Sequence, residues 1–98
     1  MNIQTAVEIA SLATNGAYKD YGRVSITEGV SFYRFIPSTD VAWLLSIFSV
    51  DNKKVDYQIC ILKNGDVFAR HCPYFDGGLD GLMLVHNQER IRDLLREL

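Results

Sequence analysis

Residues 54–72 read KVDYQICILKNGDVFARHC. Two runs of alternating character flank Lys63-Asn64-Gly65-Asp66. Asn-Gly between such runs is the preferred two-residue hairpin turn, because both central residues of a type I′ turn need positive φ. The stretch therefore predicts two antiparallel strands, 54–62 and 67–72, with Pro73 ending the second. A two-residue loop also sets the register. It places Ile61 opposite Phe68, Cys60 opposite Ala69, Ile59 opposite Arg70, Gln58 opposite His71 and Tyr57 opposite Cys72. Side chains alternate along a strand. Tyr57, Ile59, Ile61, Phe68, Arg70 and Cys72 are then expected on one face, with Gln58, Cys60, Leu62, Val67, Ala69 and His71 on the other. In that register the two cysteines point to opposite faces, which excludes a disulfide between them and a shared metal.

Upstream, residues 41–50 (VAWLLSIFSV) are apolar on both faces, as expected of a central strand covered on both sides. Asp51-Asn52-Lys53 reads as the turn that joins it to 54–62. Residues 23–27 and 30–36 alternate too, separated by Glu28-Gly29 and closed by Pro37-Ser38-Thr39-Asp40. Before them comes a helix. Ile3, Ala6, Val7, Ala10 and Ala13 fall on one helical face, and the small alanines allow close approach to a sheet. Thr5-Ala6-Val7-Glu8 fits a capping box, Asn2 marks the earliest start, and Gly16 suits the end. Downstream, 82–85 fits a short strand or a lead-in, and Asn87 is placed to cap a last helix with an Ile91, Leu94, Leu95, Leu98 stripe.

The expected architecture is one α+β domain over 1–98: an N-terminal helix, an antiparallel meander of about five strands, and a C-terminal helix packed on the sheet. The helices fit either one face or opposite faces. The helix-then-meander order resembles cystatin-like α+β folds, an order many small domains share, and it carries no function by itself.

Composition bounds the function. With 98 residues, 48% of them hydrophobic, the chain can build one conventional core without staples. Its net charge of −2, with ten scattered basic residues, argues against duplex nucleic acid as a partner. Cys60 and Cys72 are too few for a secreted disulfide scaffold, and the start of the chain lacks the pattern of a leader peptide. The longest apolar run, 41–50, is half of what a membrane span needs. A soluble, reduced, cytoplasmic protein without membrane contact is expected.

The densest group of chemistry-bearing residues is His71, Cys72, Asp76, Asp80 and His86. A thiol beside an imidazole makes a nucleophile. His71 and Cys72 are adjacent on a strand and diverge, so Cys72 would need His86 as its base. No zinc spacing is present, and Asp76-Gly77-Gly78-Leu79-Asp80-Gly81 lacks both the EF-hand ligand pattern and the P-loop lysine. No metal and no cofactor is expected. Binding candidates are the loop aromatics Tyr18, Tyr21, Tyr74 and Phe75, the strand-borne Arg34 and Arg70, and His71. Each also has an ordinary structural use, as core packing or as a side chain reaching water. Both hairpin faces are apolar beyond what one core needs, which points to a homodimer through the sheet. The sequence thus favours a non-catalytic accessory protein that engages a protein or a small apolar ligand. The alternative is a small cysteine- or metal-dependent enzyme centred on residues 71–86.

Overall fold

Asn2 starts the first helix: its side-chain oxygen accepts the Thr5 N–H at 2.8 Å, satisfying one of the orphan donors of the first turn. A computed structural model describes residues 1–32, 35–72 and 82–98. It contains α1 (Ile3–Ala13), β1 (Val24–Glu28), β2 (Val41–Phe48), β3 (Val55–Leu62), β4 (Val67–His71), β5 (Leu82–Met83) and α2 (Gln88–Arg96). The strands form one antiparallel sheet in the order β1-β2-β3-β4-β5. Four strands of five to eight residues make the sheet, and the two-residue β5 adds to the edge of β4. The α+β meander expected from the sequence is the fold.

Both helices lie on the same face. Ala6, Ile9, Ala10 and Ala13 of α1 and Ile91 of α2 belong to one buried cluster with Val24, Leu45, Ile47, Tyr57, Ile59, Ile61, Val67 and Ala69. Asn87 precedes α2 as expected, but its side chain does not cap that helix. Its Nδ2 donates instead to Leu12 O at 2.9 Å, and the His86 N–H donates to Ala13 O at 3.1 Å. The entry to α2 thereby adds hydrogen bonds to the carbonyls at the end of α1.

The hairpin register differs from the expected one by one residue. Tyr57 faces His71, Gln58 faces Arg70, Ile59 faces Ala69, Cys60 faces Phe68 and Ile61 faces Val67. The loop has three residues, Lys63-Asn64-Gly65, closed by Gly65 N–H to Leu62 O and Leu62 N–H to Asp66 O. Gly65 alone of the three has positive φ, at 93°, as in a type I turn followed by a glycine bulge. Tertiary contacts hold this choice. The Lys63 N–H donates to Asp40 O, Asn64 Oδ1 accepts the Asp66 N–H, and Arg92 Nε donates to Gly65 O. The shift also buries Val67 and Ala69 on the helical face, where the expected register would have placed Arg70 beside Ile59. Burying a guanidinium there without a partner is costly.

One consequence reverses an expectation. Cys60 and Cys72 share the helix-free face, where opposite faces were predicted. Two ladder rows, roughly 13 Å at the usual rise per residue, separate them. Distance, not orientation, keeps both thiols unpaired.

The second correction concerns 30–36. Its described residues form no strand. Gly29 turns the chain with φ of 65°, and the segment lays Phe32 and Ile36 on the helix-free face, against Val41, Leu44, Cys60 and Leu62. The alternation is real, but it serves packing onto the sheet and not pairing within it. The run at 41–50 is the central strand expected: Leu45 and Ile47 face the helices, and Val41 and Leu44 face Phe32 and Ile36.

Candidate functional site

The helix-free face carries a polar row through the middle of the sheet. Cross-strand pairing aligns Ser25 of β1, Ser46 of β2, Gln58 of β3 and Arg70 of β4. Side chains of residues paired across strands stand on the same face. Three of these four are tied together. Arg70 Nε donates to Gln58 Oε1 at 2.7 Å, and Gln58 Nε2 donates to Ser46 Oγ at 3.0 Å. The Arg70 guanidinium also stacks over the Phe32 ring, 4.8 Å from its centroid. A charge-assisted bond and a cation–π contact on one arginine fix its direction.

On one side of the row lies the apolar group of Val41, Leu44 and Cys60, each 5% exposed or less, with Phe32, Ile36 and Leu62 packed on it. On the other side are Asp56 and Cys72. Cys72 Sγ donates to Gln58 Oε1 at 3.6 Å. Asp56 Oδ1 is buried and has no hydrogen-bond partner among the described residues. Arg70 and Gln58 are half-buried, so the row meets solvent on a firm apolar footing.

The thiols are quiet. Burial pushes the Cys60 thiol up to about 11. Burial also raises Cys72, with the Asp56 carboxylate adding to the rise and Arg70 opposing it. A raised thiol holds little thiolate at neutral pH and is a slow nucleophile. Alkylation with a small iodoacetamide reagent at neutral pH is expected to leave Cys60 unlabelled until the chain unfolds. Cys72 should react more slowly than free cysteine. Rapid native labelling of Cys72, followed by peptide mass mapping, would show that its surroundings activate it.

The other residues singled out from the sequence fall in separate places. His86 is exposed, and its backbone N–H is bonded to the end of α1, whereas Cys72 bonds to Gln58 on the helix-free face. His71 points to the helical face and meets Tyr57 edge-on, with ring centroids 6.5 Å apart. Tyr18 and Tyr21 pack against the main core, and Tyr21 meets Tyr57 edge-on at 6.3 Å. Arg34, Tyr74, Phe75, Asp76 and Asp80 lie outside the described residues. Among the described residues, no group of three or more His, Cys, Asp or Glu side chains is placed to hold a metal. No described helix is long and apolar enough to cross a membrane.

Of the sequence candidates, the structure brings together Arg70 and Cys72, and adds Ser25, Ser46, Asp56 and Gln58. Their signal was present in the sequence. Ser46 interrupts the apolar run 41–50, and Gln58 interrupts the otherwise apolar run 57–62. Only the correct register shows that these interruptions line up. A second feature is a cleft of about 260 Å³ between the hairpin tip and α2, lined by Lys63, Asn64, Gly65, Arg92, Leu95 and Arg96. Its arginines are engaged: Arg92 pairs with Asp66 at 3.5 Å and Arg96 with Asp93 at 2.9 Å. No family model, no curated protein and no solved structure matches this chain.

Proposed function

We propose that this chain is a non-catalytic interaction protein that works as a homodimer in the reducing cytoplasm and takes a protein partner on its helix-free sheet face. One observation supports this above the rest: the Ser46–Gln58–Arg70 row is pre-arranged by its own hydrogen bonds and flanked by apolar packing on the face that neither helix covers. Arginine and aromatic side chains on an apolar footing are typical anchors of protein interfaces. Pre-arrangement lowers the ordering cost of binding. A small apolar ligand fits less well, because Phe32 and Ile36 already fill the apolar part of this face. Two free cysteines suit a reducing compartment.

The test compares affinity capture by the wild type, an Arg70→Glu variant and a Lys53→Glu surface control, with thermal melts to check that all three fold. Lys53 is exposed in the turn before β3, away from the row. The expected result is a specific protein held by wild type and control and lost by Arg70→Glu. A partner captured equally by all three places the interface elsewhere.

A further inference from the structure

The free edge of β1 offers a second interaction surface. Phe48 N–H donates to Arg23 O, so Arg23, Ser25 and Thr27 turn their backbone groups toward β2. By alternation, the N–H and C=O groups of Val24, Ile26 and Glu28 point outward, and among the described residues no hydrogen bond occupies them. The strand reads Val-Ser-Ile-Thr-Glu. It lacks the lysine, proline or bulge that commonly keeps an edge from pairing.

The helical layer completes the picture. α1 packs on β1 and β2, while α2 reaches the β3–β4 tip through Arg92. Glu8 and Leu12 of α1 line a cleft with Arg90 and Leu94 of α2. At about 100° per residue, Ile3 and Val7 lie on the opposite flank of α1, above the free edge. Both are exposed, Ile3 at 54% and Val7 at 36%.

We infer that β1 pairs antiparallel with β1 of a second copy, about a two-fold axis at Ile26. This arrangement is self-complementary. Ile26 faces Ile26, Val24 faces Glu28, and every outward N–H meets an outward C=O. The two Glu28 side chains sit at opposite ends and do not repel. The α1 helices come side by side on one face and cover Ile3 and Val7. The far faces join into one continuous surface, so the dimer presents two Arg70 rows to its partner. An interface of one short strand and one helix flank buries on the order of 1,000 Å² in total, at the low end for specific complexes, so the dimer forms in a concentration-dependent way. The inference rests on the homodimer reading above, but moves the contact from the sheet face to the sheet edge.

The test is light scattering from low micromolar to millimolar concentration, with amide hydrogen exchange by NMR on the same samples. The expected mass rises from 11.1 kDa toward twice that value. The amides of Val24, Ile26 and Glu28 should slow at least ~10-fold at the high end. An Ile3→Glu/Val7→Glu double variant, changed only at exposed positions, should fold, stay monomeric and keep those amides fast. A wild type that is monomeric throughout overturns the inference. So does a dimer that leaves the β1 amides fast, or one that persists in the double variant. The variant leaves the Arg70 row untouched, so capture by that surface is judged separately.

Discussion

Replacing Ile59 by alanine is expected to destabilise the fold by about 2–5 kcal/mol, the usual range for truncating a fully buried isoleucine. Ile59 is 0% exposed and sits at the middle of β3, which has a strand paired on each side. Leu45 and Ala69 flank it across the sheet. Ile9 and Ala10 of α1, both also 0% exposed, belong to the same buried cluster. A strand held on both sides within one closely packed cluster has little room to relax into the cavity, which puts the loss toward the upper end. The matched control is Val50→Ala, 77% exposed in the turn after β2, which should change stability by no more than about 0.5 kcal/mol. Urea unfolding followed by circular dichroism measures both. A loss below about 1 kcal/mol for Ile59→Ala would mean that this face is not the main core.

Gly22→Ala is expected to be as damaging, for a different reason. Gly22 leads into β1, and its N–H donates to Phe48 O. A Cβ there would collide with Ser49 O and Asn52 Oδ1 and lie 3.1 Å from the Ser49 carbonyl carbon. Two of these atoms are backbone, so no side-chain rotation relieves the contact. Asn52 is also committed: its Oδ1 accepts the Arg23 N–H at 2.9 Å, and its own φ is 60°. The close approach ties the start of β1 to the β2–β3 turn. Opening it should cost about 3 kcal/mol, as severe overpacking does. The check is the unfolding midpoint together with amide exchange at Arg23 and Asn52, which should quicken locally. Gly16→Ala isolates the conformational part. A Cβ at Gly16 meets nothing within 4 Å, and only its φ of 90° resists substitution. Gly16→Ala should therefore cost about 1 kcal/mol, less than Gly22→Ala.

The sequence showed the elements more clearly than their alignment. Helix faces, the central strand at 41–50 and the hairpin at 54–72 each follow from local pattern, and local pattern survives folding when it agrees with burial. The turn type did not follow. Asn-Gly is compatible with two loop lengths, and contacts from Asp40 and Arg92, far away in sequence, favour the longer one. A one-residue slip exchanges the faces of a whole strand. That is why the sequence alone places Arg70 and Cys72 beside Ile59 and Tyr57, and why it hides the row with Gln58 and Ser46. Residues 30–36 show the complementary limit. Phe32 and Ile36 carry the spacing of a strand because the sheet beneath them is apolar. Periodicity reports which residues are buried, and not whether the backbone is paired.

The site therefore stands on the hairpin register, and one measurement reads it directly. In an antiparallel sheet, the α-protons of directly opposed residues approach closely at non-hydrogen-bonded pairs. With Leu62 N–H bonded to Asp66 O, those pairs are Ile61 with Val67, Ile59 with Ala69 and Tyr57 with His71. A proton NMR spectrum of the folded chain should show strong α-proton cross-peaks between Ile59 and Ala69 and between Tyr57 and His71. Cross-peaks from Cys60 to Ala69 and from Gln58 to His71 would restore the two-residue loop, return Arg70 and Cys72 to the other face, and dissolve the proposed surface.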